Sequence, residues 1–586
     1  VNMCRPAILP AFLLELLAAL LSTPGARAQD IQTQARQQAE TIERTQSEAF
    51  RLQQERMQGS LSRAPQGELS AKPALQPSQG KESCFAVKTI EVAGATLVPA
   101  NRIDAAVRPW QGRCLSLTEI NGILEALTAL YVDRGYVAAR AYVPEQDLSQ
   151  GRLRLTMVEG RMDDIVLKGG GGTAGQLATA FPELRGKPVN LRQIEQGVDQ
   201  INRLSSAKAG VALEPGKTLG GTVLAVTVER TKPWSVSFGA DDLGSPSTGI
   251  YQSRVDVGLD NVLGLNDLWQ FGYQRSMEKS PLFFSAERPN SDTVTASFSI
   301  PYGPLTAGID GSWSQYHSNI EGQFSTIDTS GQSVSVAPYL TLLLDRDQVS
   351  KTWATGRFTW KSTDNFLLGS HVDTSSRVLS IASLELGHSR QFLGGMLSAT
   401  LAYQKGLALF GAFDDADAPA SSPKGQFGKV TASLAYSVSE DWGPGSVSFS
   451  TRLSGQWSDD PLFASEQMAI GGYGSVRGPR DALLSAGNAF YVRNELSYLL
   501  PEPSSKDLAD AVGRIEPYVG LDIGRTFADA AEGSETGTLV GAAIGIRNRG
   551  GRVSFDLSYA SILSTTVSGR GRWPDGLVQA RVSVQF

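Results

Sequence analysis

The sequence predicts a mainly-β protein: a transmembrane antiparallel β-barrel of about 16 strands, preceded by two small α+β modules and an N-terminal helix that plugs the pore. Three observations predict this. Segments with a polar/apolar period of two recur from Trp234 to Phe586, more chain than a single sandwich holds. An apolar run near the start reads as a secretory signal. After that signal no apolar stretch is long enough to cross a bilayer as a helix. An envelope address, a sheet with one apolar face and no membrane helix together point to a barrel, whose closure satisfies every backbone group in lipid.

Composition sets outer bounds. The 586 residues are 41% hydrophobic and 19% charged, an ordinary folded balance. A formal charge of -6 without a basic run argues against a nucleic-acid partner. The 61 glycines suit a chain of many turns.

Arg5, the apolar run Ala7 to Leu21 and the small residues of Ala26-Arg27-Ala28 read as a signal peptide over residues 1–28, which would carry Cys4 away. Residues 29–58 read as a Gln-rich helix without a wide apolar stripe, the kind of helix that suits a wet cavity. Residues 59–83, rich in Pro, Ser and Gly, read as a linker.

Two modules of matching order follow, over 84–159 and 160–232. The first is expected to have a strand at 85–92, a helix at 117–133 and strands at 138–143 and 153–158; the second, a strand at 164–168, a helix at 191–204 and strands near 210–213 and 222–229. Cys84 and Cys114 both fall in the first module and, in an oxidising compartment, read as a structural disulfide rather than a redox pair. The run Gly169 to Gly172 lacks the Lys-Ser or Lys-Thr of a phosphate loop.

From residue 233 to 586 the alternation takes over. Val294, Ala296, Phe298 and Ile300 are interleaved with Thr and Ser, as are Val430, Ala432, Leu434 and Tyr436, and Val578 to Phe586 repeats the pattern. Late in this region lies Gly471-Gly472-Tyr473-Gly474-Ser475-Val476-Arg477-Gly478-Pro479-Arg480, a glycine-rich loop with a charge at its turn. Nothing reads as an active site: there is no Walker loop, the histidines His317, His371 and His388 are scattered and read as lumen or loop residues, and no Cys/His cluster has metal spacing. No cofactor and no metal are expected. Asp414, Asp415 and Asp417 read as a solvated extracellular turn.

Several stretches add up to a resemblance when taken in order: Cys84-Phe85; Arg134-Gly135-Tyr136-Val137; Ala141 to Leu148; Val158-Glu159-Gly160-Arg161; Asp260 to Asp267; and Leu344-Asp345-Arg346-Asp347. From Cys84 to Phe586 the chain resembles the outer-membrane transporters of two-partner (type Vb) secretion, the TpsB family. That family includes transporters for haemolysin secretion and activation, filamentous haemagglutinin and contact-dependent inhibition. The resemblance implies that the modules are periplasmic POTRA domains, and that a loop around 466–490 folds into the lumen carrying Val476, Arg477 and Gly478. It further implies that Arg477 meets Asp522 of Gly520-Leu521-Asp522-Ile523-Gly524 on an inward-facing strand. The chain departs from the family at Pro479, where an aromatic residue usually follows Val-Arg-Gly.

The function implied is export, by a non-enzyme acting as a monomer in the lipid of a Gram-negative outer membrane. The client would be a large exoprotein of the TpsA type: a haemolysin, adhesin or contact-dependent toxin. The alternative is an outer-membrane protein insertase of the same superfamily.

Overall fold

A computed structural model describes residues 24–58, 84–218, 220–278, 288–321, 326–416, 419, 421–528, 536–566 and 576–586. The expected signal before residue 24, the linker at 59–83 and Asp417 lie outside the described residues. The helix expected from 29 runs over Pro24–Gln58, so the expected cleavage point after Ala28 falls within its first turns.

The first module differs from its expected order in two places. The strand expected over 85–92 is split at Lys88, because its halves have different partners. Phe85–Val87 pairs antiparallel with Arg113–Leu115, whereas Thr89–Ala93 runs parallel to Arg152–Val158. A further helix, Ala100–Val107, buries Ile103 and Val107; it has no side-chain cap, which removes the usual sequence signal for its start. The helix Leu117–Val132 does carry that signal: Ser116 and Glu119 form a reciprocal capping box. Its buried face, Ile120, Ile123, Leu127 and Tyr131, packs on Leu153 and Leu155 of the sheet. Each such side chain contributes roughly 1.5–3 kcal/mol of burial.

The two modules meet at Val158-Glu159-Gly160-Arg161. Glu159 accepts hydrogen bonds from Thr96 Oγ1, Leu97 N (2.8 Å) and Tyr131 Oη (2.9 Å). Burial alone would raise its pKa, but these donors outweigh that and hold the carboxyl below the usual glutamate range. The second module also has a helix beyond those expected, Ala174–Ala180, and here a signal existed: Thr173 and Gln176 close a capping box. The preceding glycines serve packing, since a Cβ on Gly171 would stand 2.0 Å from the Val228 carbonyl oxygen.

The second module sits on the near-end turns of the barrel, and this gives the motif Asp260 to Asp267 its purpose. Asn266 is fully buried; its amide donates to Gln176 O (2.8 Å) and Thr179 Oγ1 (2.9 Å) and accepts from Gln176 Nε2 (2.9 Å). Asn261 and Asn266 both have positive φ, which asparagine tolerates better than most residues. Asp267 ties the turn by accepting from Leu263 N and Trp269 Nε1. In the Leu344 to Asp347 motif, Arg346 Nη1 reaches Asp199 (2.5 Å), and Lys351 Nζ reaches the same carboxylate at 2.7 Å.

The barrel is a closed antiparallel sheet of 16 strands. It is sealed where Trp234–Asp241 meets Leu577–Gln585, from Ser237 beside Gln585 to Asp241 beside Arg581. Thr326–Arg346, at 21 residues, shows the logic of its faces. Val334, Val336, Pro338, Leu340, Leu342 and Leu344 share the outward face with Thr326, Asp328, Ser330 and Gln332, while Thr329, Ser335, Ala337 and Thr341 are buried on the other. The apolar outward run spans about 34 Å of strand, or about 26 Å along the axis at a tilt of ~40°, which matches the apolar band of an outer-membrane barrel. Leu384, Leu401, Leu434, Leu453, Leu521 and Ile544 extend the same exposed belt around the wall.

Cys84 and Cys114 form the disulfide, with Cα atoms 5.3 Å apart and a sequence separation of 30. Closing a loop of that length removes roughly 3–4 kcal/mol of unfolded-state entropy. Replacing both cysteines with serine is expected to lower the stability of the first module by about that amount while sparing the barrel. Pulse proteolysis across a urea series, with heat-modifiable gel mobility as the barrel control, checks it.

Candidate functional site

The inward face of the strand Arg514–Thr526 carries Glu516, Tyr518, Gly520, Asp522, Gly524 and Thr526, with Ile515, Val519, Leu521 and Ile523 facing out. Two glycines beside a carboxylate leave a trough in the wall. A Cβ on Gly520 would stand 2.0 Å from Arg477 Nη2, and one on Gly524 would stand 2.5 Å from Ile470 Cγ2. On the next strand Gly541 lies opposite Asp522, and its Cβ would stand 1.7 Å from the Arg477 carbonyl oxygen. The loop backbone runs along this trough because no side chain fills it.

The loop leaves the barrel after Ser458 and returns at Ala489. It makes a short 3-10 turn at Ala464–Glu466 and a small hairpin in which Met468–Ile470 pairs with Leu484–Ala486. Gly471, Gly472 and Gly478 have φ of 122°, 92° and 134°, which a side chain would oppose. Val476 is fully buried with Ile470, Leu483, Leu484, Tyr491 and Leu539, so an apolar cluster holds the tip as well as a charge. Pro479 is buried, and the one ring of the Gly471–Arg480 tip is Tyr473, whose hydroxyl donates to Asp556 (3.1 Å) and whose face lies under Arg493.

Arg477 is 1% exposed. Its Nε and Nη2 grip Asp522 at 2.7 and 2.8 Å, Nη1 donates to Glu495 Oε2 at 2.8 Å, and Nη2 also donates to Asn494 O at 3.0 Å. Asp522, itself fully buried, accepts the Arg477 backbone N–H as well. The pairing continues along the wall: Arg547 bridges Glu495 (2.7 Å) and Glu516 (3.0 Å), and Glu516 takes Arg549 and Ser497. A planar guanidinium with every donor group engaged is a fixed joint, and removing one partner of such a buried pair costs about 3–5 kcal/mol. Glu495 and Gly541 were not expected from sequence. The available signal for Glu495 was a carboxylate at an inward position of a strand, two residues from the inward Arg493.

A second set of contacts joins the N-terminal helix to the loop through the wall. Glu43 of the helix meets Arg377 at 2.5 Å, both nearly fully buried, and Arg377 also lies over the Phe463 ring of the loop (4.4 Å). Lys361 donates to Ser47 Oγ of the helix (2.7 Å) and to Glu466 of the loop (3.3 Å). Lys429 holds the other Glu466 oxygen at 2.8 Å. Gln38 reaches Ser318 farther along. The helix therefore lies within the lumen, against the strands that carry these residues.

The histidines lie apart from this site. His371 sits in a turn beside Asp364 and Asp373. His388 faces outward and shares a hydrogen bond with Thr352, and His317 also faces outward, which corrects the expectation of lumen or loop positions for these two. Asp415 caps the backbone of Gly425 and Gln426. Among the described residues no group of three His, Cys, Asp or Glu is gathered for a metal.

Residues 220–548 match the family described as haemolysin secretion/activation protein ShlB/FhaC/HecB, residues 85–160 a ShlB-type POTRA domain and residues 161–215 a POTRA domain. The outer membrane transporter CdiB of Escherichia coli is 35% identical over 489 residues, 83% of this chain and 80% of that one. The hemolysin transporter protein ShlB of Serratia marcescens is 28% identical over 89% of each chain. The solved structure of CdiB from Escherichia coli superposes with a TM-score of 0.82 at 31% identity, covering 94% of this chain and 98% of that one.

Gly541→Ala tests the trough. The new methyl meets backbone rather than a flexible side chain, so the loop is expected to lift from the wall. Maleimide labelling of a cysteine at position 475, where Ser475 is fully buried, should rise from near zero toward completion.

Proposed function

The chain belongs to the haemolysin secretion/activation protein ShlB/FhaC/HecB family, and we propose a route by which its parts carry one client across the membrane. It is an outer-membrane transporter of two-partner secretion, with its POTRA domains on the periplasmic side. The client is a large exoprotein of the haemolysin, adhesin or contact-dependent toxin class, delivered unfolded. Recognition uses free sheet edges: Arg140–Tyr142 closes one side of the first POTRA sheet and Ala207–Pro215 one side of the second. An extended client strand adds there by main-chain hydrogen bonds, with alternate side chains giving selectivity.

The observation that carries the route is how the lumen is filled. The helix meets the wall largely through ion pairs and hydrogen bonds, with Ala39 and Ile42 its buried apolar side chains among the described residues, whereas the loop adds apolar packing around Val476 and Phe463 to its ion pairs. Polar contacts exchange readily for contacts with water or a passing chain. The helix is the plug and leaves first; Arg477 on Asp522 is the latch that keeps the loop indexed to the wall. The polypeptide acts without enzymatic chemistry, and folding of the client outside supplies direction. A closed barrel of 16 strands surrounded by lipid needs no second copy, so the monomer is the working unit.

Deleting residues 29–58 is expected to raise conductance in planar bilayers severalfold, and unchanged conductance would remove the plug role. Arg477→Asp and Asp522→Arg are each expected to lower client export about tenfold or more, since each leaves buried charge uncompensated. The double exchange should recover part of the loss, limited by the repulsion between Asp at 477 and Glu495. Export no better in the double variant than in the singles would remove the latch.

A further inference from the structure

Among the described residues, three lumen cations of one sector find no carboxylate partner on the wall that carries them. Lys361 lies on the strand Ser350–Leu367, Arg377 on its neighbour Arg377–Phe392, and Lys429 on Gly428–Trp442, two strands further on. Arg377 lies in register with Thr363, Leu379 with Lys361, and Ser383 with Gln404, which in turn pairs Lys429. The three therefore form one arc of the inner surface. Their ion-pair partners are Glu43 from the helix and Glu466 from the loop. Several other wall cations are neutralised within the wall, as Arg275 is by Asp292, Arg357 by Asp310, and Arg547 by Glu516.

We infer that this arc is a cationic collar that exchanges the carboxylate of the departing helix for acidic side chains of the translocating chain. At rest it balances three cations with two carboxylates. Withdrawal of the helix takes Glu43 away and leaves three cations to Glu466 alone; displacement of the loop removes the last. Positive charge fixed on the wall of a narrow, low-dielectric pore focuses anions. An acidic segment entering as the helix leaves re-forms ion pairs that would otherwise be lost, so helix departure and client entry are coupled through the same three side chains. The collar thus selects for carboxylate-bearing segments at the step where the lumen opens.

The inference rests on the helix being the plug, and the experiment separates the two. The full chain, the chain lacking residues 29–58, and that deletion carrying Lys361→Gln and Arg377→Gln are compared in planar bilayers under a KCl gradient. The deletion should raise conductance and move the reversal potential toward that of chloride; the two glutamines should undo the shift in reversal potential while keeping the raised conductance. A Glu-rich 20-residue peptide added from the POTRA side should interrupt the deletion current at a concentration about tenfold lower than a Lys-rich one, a preference of about 1.4 kcal/mol, within what one close ion pair supplies. Raised conductance with an unmoved reversal potential, a shift that survives the glutamines, or equal block by both peptides overturns the collar. Unchanged conductance on deletion overturns the plug, and the collar with it.

Discussion

Lipid offers the backbone no hydrogen-bond partner, and most of this structure follows from that fact. The sheet must close on itself, so Trp234–Asp241 has to meet Leu577–Gln585 although more than 300 residues separate them. Closure fixes two faces on every strand and makes the enclosed one polar, as the Ser and Thr positions of Thr326–Arg346 show. A polar lumen wide enough for a chain would be an open hole. The helix and the loop fill it, the helix mainly by hydrogen bonds and ion pairs with a polar wall, the loop by ion pairs together with local apolar clusters.

Charge inside that space is handled in two ways. The wall pairs most of its own ions across neighbouring strands, as in the Glu495, Arg547 and Glu516 run. Where an element inside the lumen is held, one partner is placed on the wall and the other on the element: Asp522 for Arg477, Arg377 for Glu43, Lys361 and Lys429 for Glu466. The two kinds differ in consequence. Pairs within the wall tie neighbouring strands together, whereas pairs between wall and occupant tie separate segments of the chain across the lumen.

Much of this was legible in the residues. The period-two alternation specifies the barrel and its faces because a strand exposes every second residue to one side. The capping box at Ser116 and Glu119 marks its helix, and the Cys84 and Cys114 pair needs only proximity and an oxidising compartment. The Arg477 and Asp522 pairing came from a resemblance to known transporters; nothing in the spacing of those two residues requires it. What stayed hidden depends on which loop turns inward. Glu43 and Arg377 are 334 positions apart, and Glu466 reads as an ordinary loop residue until the loop is inside. The split at Lys88 was hidden for a similar reason: adjacent residues there pair with strands from different parts of the chain. His388 faces outward beside Thr352, a placement the residue type alone does not signal.

The barrel's strands are unequal in length, and this shapes the exit. Thr326–Arg346 has 21 residues and Ser350–Leu367 has 18, whereas Trp234–Asp241 has 8. At a tilt of ~40° the tall strand continues about 20 Å beyond the apolar belt, while the short one rises only about 20 Å in all, less than the belt itself. Among the described residues the sheet is therefore cut obliquely at this end, with a polar parapet on the side of Thr326–Arg346. A chain leaving the lumen passes this taller wall along one flank for a further five or six extended residues, roughly.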